Sequence, residues 1–596
     1  MKTKRLFTAL LCLSAFALVT NAKTIYVSYN GSNTNDGTSW VKAILTPDTA
    51  RVRATAGDNI WVMGDADGLN GYNIYTFKSS TPGDGKQAFQ TGDLNWYGGF
   101  KGNETALSQR QLADNDGNGI VEPWEFVYPT KISFDLTNNA LAFTTGATVK
   151  RVIDGFTFYP GTYALTTTFG DSKLFTINPN AVLKNSIIRD GSYTVTESTG
   201  NSTLRPFMWM RGQMDYCLME NNTISASVLL SRTQYALLFD VDYHRGATYI
   251  LPSVTNCVFR NNTGVLDGSA IPTISTMETR GIFIYVNGSN GTLANTYPTV
   301  FVNNLLYNND IKFAGNATLT SISGGILGTS WGNGGAVGTP SATTVMNNIF
   351  AKNKITNIKT PGVYFAVSAG TIVPNIINNI FYSNAKYIGT TVQDATQQNN
   401  IDGGNMSLAN AFNNYTTDKA LWWGTTTADN IAAGNGTFLA ADAKFVSSTN
   451  VVGVSDLLEV TKANWSLQTG SPFIGKGTAA TYNTAVASAY TTYSKDFSGR
   501  SFVEPRSVGA FEAGNVSIVT PPTAINNPKI SNISFVVPVA GGLKLSENGN
   551  VQVISMVGQL VLSTKVEDGQ VLNLNKGIYL VRLQSTKGIM VQKVIL

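Results

Sequence analysis

The sequence carries little charge. Asp, Glu, Lys and Arg make up 13% of its 596 residues, about half the usual share of roughly 25%. The formal net charge is +5. Lys2, Lys4 and Arg5 fall in a leader-like start, and removing those three charges leaves +5 − 3 = +2. That balance gives no electrostatic case for nucleic acid. Histidine occurs once, as His244. A histidine-rich metal centre is therefore excluded, and a Ser/His/Asp triad would have to use that residue. No long stretch has helical periodicity. Three cysteines are present, and Cys12 lies in the start segment. The mature chain keeps Cys217 and Cys257, which read as two small buried thiols; a disulfide is the alternative, since exported chains permit one.

Residues 1–22 read as a signal peptide. The start is basic, Leu6 to Val19 is apolar, and Thr20-Asn21-Ala22 offers a small-residue cleavage site. The apolar run is shorter than the ~20 residues a membrane helix needs.

What is abundant is Gly, Asn, Thr, Ser and Val, in short β-rich runs bounded by Gly, Asn and Asp. One pattern recurs: Asn or Tyr, a small or polar residue, two apolar residues, two variable residues, then Asn or Gly. The copies are Asn185-Ser-Ile-Ile-Arg-Asp-Gly191, Tyr216-Cys-Leu-Met-Glu-Asn-Asn222, Asn256-Cys-Val-Phe-Arg-Asn-Asn262, Asn303-Asn-Leu-Leu-Tyr-Asn-Asn309, Asn347-Asn-Ile-Phe-Ala-Lys-Asn353 and Asn378-Asn-Ile-Phe-Tyr-Ser-Asn384. Their starts are 31, 40, 47, 44 and 31 residues apart. A rigid period would suggest a propeller or a helical solenoid. A fixed short core between loops of variable length predicts a parallel β-helix, whose coils repeat while their loops differ. The second position runs Ser186, Cys217, Cys257, Asn304, Asn348, Asn379. Equivalent residues of successive coils lie about 4.8 Å apart, so its asparagines are expected to form a ladder inside the coil.

The mature start, Lys23-Thr-Ile-Tyr-Val-Ser28 and Asn30-Gly-Ser-Asn-Thr-Asn-Asp-Gly-Thr-Ser-Trp40, resembles the opening of exported proteins of the pectate-lyase-like superfamily. So do Gly57-Asp58-Asn59-Ile60-Trp61-Val62, Trp96 to Thr105 and Val152 to Phe158. Trp465 to Gly477, Asp496 to Arg500 and Val508 to Glu512 resemble its closing elements. The resemblance covers residues 23–513. It implies a right-handed parallel β-helix with an N-terminal cap, and it speaks for fold rather than activity.

The clearest chemical motif is Asp114-Asn-Asp-Gly-Asn-Gly-Ile-Val-Glu-Pro-Trp-Glu125, which fits the EF-hand calcium loop. Asp114, Asp116 and Asn118 would supply oxygens at positions one, three and five. Gly119 takes the sharp turn at six, the Ile120 carbonyl seven, Glu122 nine and Glu125 the bidentate twelve. The expected ion is a structural Ca²⁺, ordering a loop in the cap region. A solvated Asp/Asn/Gly turn is the plain alternative. Glu104 to Ala113 has room for a short preceding helix. Pro123 and the strand-like Phe126-Val-Tyr128 argue against a long following one, so a paired, switching EF-hand is not expected.

Evidence for catalysis is thin. Asp240, Asp242, Tyr243, His244 and Arg245 form the densest ionisable cluster of the coil. A lyase acting by β-elimination on an acidic glycan needs a base beside a carboxyl group and a cation to stabilise the new charge. The cluster has suitable groups, with Lys184, Arg189, Arg211 and Arg260 as further cations. A polar loop outside one coil is the alternative. The superfamily's hydrolases carry a glycine-histidine-glycine element, which is absent because Arg245 follows His244. Trp209, Trp331, Trp422 and Trp423 are candidates to stack on sugars or to pack.

The C-terminus changes character. Residues 514–529 read as a Pro/Thr/Asn linker and 530–596 as a small β-sandwich, with β-rich runs at Leu543–Leu545, Val551–Val561, Val571–Leu574, Gly577–Leu583 and Lys593–Leu596. Met-Val-Gly-Gln at 556–559, Leu-Asn-Lys-Gly-Ile-Tyr-Leu-Val-Arg-Leu at 574–583 and the final Lys-Val-Ile-Leu resemble the sorting domain of the type IX secretion system. That implies passage through the type IX machinery of a Gram-negative bacterium. The module is then removed, and the protein is released or attached to the outer-membrane surface. Two functional classes follow: a surface or secreted protein binding a polysaccharide, surface glycan or partner along the coil, or a polysaccharide lyase.

Overall fold

The computed structural model describes residues 22–512 and 535–596, apart from 66–73, 79–86, 136–140, 145–148, 168–173, 198–206, 230–235, 242–251, 272–282, 288–298, 317–319, 331–339, 366–372, 394–400, 404–410, 413, 417–435, 439–441, 478–491, 504, 540, 556–559 and 586–587. It divides into two compact units, Met1–Pro521 and Pro522–Leu596.

Among the described residues, the first unit is a parallel β-helix with three long sheets, here A (twenty strands), B (nine) and C (eight). One turn shows the route. Met208–Met210 lies in sheet B, Gln213–Glu220 in A, Thr223–Ser227 in C, and Phe239–Val241 in B again. Each strand pairs in parallel with the equivalent strand one turn on, as Met208 does with Phe239 and Leu218 with Val258. The six patterned segments all lie in sheet A, stacked in register.

Each position of the pattern has a physical task. Position one is left-handed in every copy, with φ between 48° and 58° at Asn185, Tyr216, Asn256, Asn303, Asn347 and Asn378. Position six is left-handed too, with φ from 47° to 58° at Asp190, Asn221, Asn261, Asn308, Lys352 and Ser383. Asn and Asp tolerate this region best among residues with a side chain, so the chain bends there. Position two points into the coil. Asn304 donates to Asn348 at 3.1 Å, Asn348 to Asn379 at 2.9 Å and Asn379 to Asn414 at 2.8 Å. Position seven forms a second ladder, from Asn222 through Asn262, Asn309 and Asn353 to Asn384. The remaining amide hydrogens meet carbonyls, as Asn309 does with Phe259 at 2.9 Å. These buried amides are thus satisfied. Cys217 and Cys257 take the ladder position in their turns and are free and buried.

The apolar pair straddles the sheet, since successive strand residues face opposite sides. Ile188, Met219, Phe259, Leu306, Phe350 and Phe381 fill the coil. Leu218, Val258, Leu305, Ile349 and Ile380 face outward into a second apolar cluster with Phe445, Trp465, Phe473, Phe497 and Phe511. The described residues of 442–512 therefore form a strap over the outside of sheet A rather than further coils. Its strands Phe445–Ser447 and Asn464–Leu467 pair antiparallel, with a short helix at Leu458–Thr461 between them. The bend asparagines peg it down. Asn308 donates to the carbonyls of Val451 and Gly453, Asn303 donates to that of Lys495, and Asn261 accepts from the Ser455 N–H.

The second unit has two antiparallel sheets. One contains Val536–Val539, Gly542–Leu545 and Val571–Asn573. The other contains Gly549–Ser555, Leu560–Val566, Ile578–Ser585 and Gly588–Ile595. Val536, Leu543, Val551, Val553, Val581 and Leu583 lie in its core. The expected run Val551–Val561 divides into two strands, because Val553 pairs with Leu562 and the chain reverses between them.

Candidate metal centre

The chain enters the loop at residues 114–125 from a clamped segment. Glu104 accepts the N–H groups of Lys101, Gly102 and Asn103. The expected short helix is one 3-10 turn, Leu107–Gln109. Arg110 then grips Asp154 of the coil with both arms, at 3.0 and 3.2 Å. The loop ends are tied where Ala113 N–H donates to the Glu125 carbonyl and Leu112 pairs with Phe126.

Within the loop the carboxylates shape the backbone. Asp114 accepts from the N–H groups of Gly117 and Gly119 at 2.7 and 3.0 Å. Both glycines have positive φ, 74° and 82°, which a residue with a β-carbon reaches only with strain. Asp116 accepts from Asn118 N–H, and Asn118 from Ile120 N–H. Glu125 closes the ring, with Oε1 accepting from Asn115 and Asp116 and Oε2 from Glu122. Oxygens of Asp114, Asp116 and Glu125 converge within 4.8 Å of one another. Glu122 is 5% exposed, and Asn118 donates to its Oε1. Its buried Oε2 has no hydrogen-bond donor among the described residues.

This loop does not sit at the end of the coil, as expected for a cap element. It lies against the flank of sheet A. Asp116 pairs with Arg260 at 2.8 Å, and Arg260 pairs with Glu220 at 2.8 Å. Arg189 reaches Glu220 from the other side at 3.2 Å. Burial tends to raise the Glu220 carboxyl, but Arg260 and Arg189 outweigh it and hold it below the usual range. The loop is in the opposite state. Burial, and then the neighbouring Glu125 charge, push Glu122 well above the usual range. Burial also raises Glu125, and it raises Asp116 despite Arg260. Arg260 already serves Glu220, so the loop holds more buried carboxylate than neighbouring cation. Buried like charges demand protons or a metal. An all-oxygen set around them suits a hard cation such as Ca²⁺.

The other candidates are dispersed. Asp240 lies in sheet B between Trp209 and Tyr285, on the strand side opposite the inward Phe239 and Val241, and it is buried at 1% exposure. Arg211 sits 4.7 Å over the Trp209 ring. Asp242, Tyr243, His244 and Arg245 lie outside the described residues, as do Trp331, Trp422 and Trp423. Lys184, Arg189 and Arg260 face the outside of sheet A, so they share no face with Asp240. One row was missed. Lys184 stacks between Asp154 and Asp215 in register. The sequence signal was available, since Lys184 and Asp215 each precede a pattern start by one residue.

The antiparallel module can be identified. Residues 527–596 match the family model described as "Secretion system C-terminal sorting domain". The second unit is a sorting domain. It is of the type IX kind, and it marks a secreted or cell-surface protein. No curated protein matches the chain. Among solved structures, a rhamnogalacturonan lyase is similar at 12% identity, over 64% of this chain and 84% of that one, with a TM-score of 0.30. The pectate lyase Pel9A is similar at 13% identity, over 83% and 96%, with a TM-score of 0.31. Likenesses this weak carry no argument, and the fold rests on the strand pairing above.

Proposed function

We propose that this exported β-helix protein holds a polysaccharide or surface partner along its coil, with Ca²⁺ as a structural ion at Asp114, Asp116, Asn118, Ile120, Glu122 and Glu125. The observation supporting the binding role is the outer face of sheet C. There Thr162, Ser192, Thr223 and Thr263 stand in one register column. Thr194 and Ser225 stand in a second, and Thr166, Thr196 and Ser227 in a third. Thr162, Thr166, Thr194, Thr196 and Thr223 are exposed. Columns of hydroxyls repeat at the strand spacing of about 4.8 Å, and an extended glycan repeats its own hydroxyls at a comparable interval. The part of sheet A's outer face around Leu218, Val258, Leu305, Ile349 and Ile380 is unsuitable, because the strap covers it. Affinity electrophoresis against a panel of polysaccharides tests this. The double variant Thr194→Glu, Ser225→Glu should lose retardation by whichever glycan retards the wild type. Equal retardation of both would remove sheet C from the role.

A lyase is the second reading, favoured by the row Asp154–Lys184–Asp215 with Arg110 on Asp154. It gathers carboxylates and cations on one face, as β-elimination requires. Unsaturated products released from an acidic glycan by wild type, and lost in Lys184→Ala, would establish it. Their absence with wild type over a broad panel would retire it.

A further inference from the structure

Arg260 joins three parts of the chain that are remote in sequence: the loop at 114–125, the strap and the coil. Its Nη1 donates to Asp116 of the loop and to the Thr461 carbonyl of the strap at 3.0 Å, while its Nε reaches Glu220 of the coil. A second bridge lies alongside. Asn464 of the strap, 346 residues away in sequence, donates its Nδ2 to the Asn118 carbonyl at 3.0 Å. Asn464 is 4% exposed. The Lys462 stem passes 3.1 Å from where a β-carbon at Gly117 would stand. Beneath these contacts, Ile120 and Trp124 belong to the same apolar cluster as Trp465 and Phe497, with the Trp124 and Phe497 rings 6.0 Å apart. The loop therefore forms one wall of the strap's seat.

We infer that the loop is a calcium-operated latch: ion binding and docking of the strap around residues 458–467 are one coupled event. The inference rests on the calcium reading above. Without a cation, four carboxylates from Asp114, Asp116, Glu122 and Glu125 crowd one loop, and Arg260 pairs with Asp116 of the four. Their repulsion favours an open loop, and an open loop withdraws the Asn118 carbonyl, Ile120 and Trp124 from the strap. With the ion bound, the loop closes and presents all three. The strap's far end is pegged independently, by Gly509 N–H on the Asn378 carbonyl and by Tyr415 on the Lys476 carbonyl. Release is therefore local. Exported calcium modules bind with Kd of about 10⁻⁴–10⁻³ M. An affinity in that range leaves the latch open in a calcium-poor compartment and closes it outside the cell.

Coupling is reciprocal: if calcium stabilises the docked strap, a docked strap must raise calcium affinity by the same factor. Hydrogen exchange on the full chain, in CaCl₂ and in EGTA, reads one direction. Protection of residues 458–467 should fall at least about tenfold on chelation, with Gln213–Glu220 unchanged. Calorimetry reads the other direction. Asn464→Leu should bind Ca²⁺ at least about fivefold more weakly, near the lower end of typical coupling. Lys462→Glu, an exposed change that leaves the core alone, should bind a few-fold more tightly by placing a carboxylate beside the loop. Suppose wild type binds calcium, strap protection is indifferent to it and both variants bind like wild type. The latch is then overturned while the calcium reading stands. No binding heat with wild type would overturn both.

Discussion

At the residue scale, the bends of sheet A separate residues that suit their conformation from residues that tolerate it. Lys352 and Ser383 hold left-handed backbone, with φ of 55° and 47°, where equivalent turns use Asn or Asp. Such a conformation costs an ordinary residue on the order of 1–3 kcal/mol. Lys352→Asn and Ser383→Asn should each raise the melting temperature, and the corresponding change Asn308→Lys should lower it. The ladders make an opposite prediction. Asn348 donates to Asn379 and to the Phe301 carbonyl, and it accepts from Asn304. Asn348→Leu would strand buried groups on both sides, and each costs about 1–3 kcal/mol. Chemical denaturation should show a loss of several kcal/mol, beyond what a conservative surface change gives. For the metal loop, calorimetry should show calcium binding by wild type and none by Glu125→Ala. Glu125 is the residue that both closes the ring and converges with Asp114 and Asp116. Equal heats would mean that this loop is not the site.

At the element scale, much of the repeat was legible and its partner was not. The second-position ladder could be read because Asn recurred at one offset between apolar neighbours. The seventh-position ladder was visible as Asn or Gly but resembled punctuation, since the same residues end turns. The outward member of the apolar pair had no explanation in an isolated coil, where one face should be polar. Its reason is the strap, and the sequence from 442 to 512 has no repeat to announce that its described residues fold back. The EF-hand spacing was legible residue by residue. Its location was not, because Asp116 and Arg260 are 144 positions apart. These outward residues make a testable claim. Leu305→Ala should destabilise about as much as Leu306→Ala, each by roughly 2–5 kcal/mol, although only Leu306 lies inside the coil. Removal of the strap's grip should make Leu305→Ala nearly silent while Leu306→Ala stays costly. A small effect of Leu305→Ala in the intact chain would mean the strap adds little.

At the scale of the whole molecule, two units divide the work. The β-helix has its own core, built from turn upon turn of Ile, Phe and Leu. The sorting domain has another, around Val536, Val553 and Leu583. With its own core, the module is expected to be read by export machinery while the coil keeps its fold. The central claim is that this protein is an exported β-helix addressed by its last domain. Deletion of residues 530–596, followed by cell fractionation, tests it most directly. The full chain should reach the surface or medium, while the truncated chain stays in the periplasm with an unchanged melting transition for the coil. Normal surface display of the truncated chain would contradict the claim.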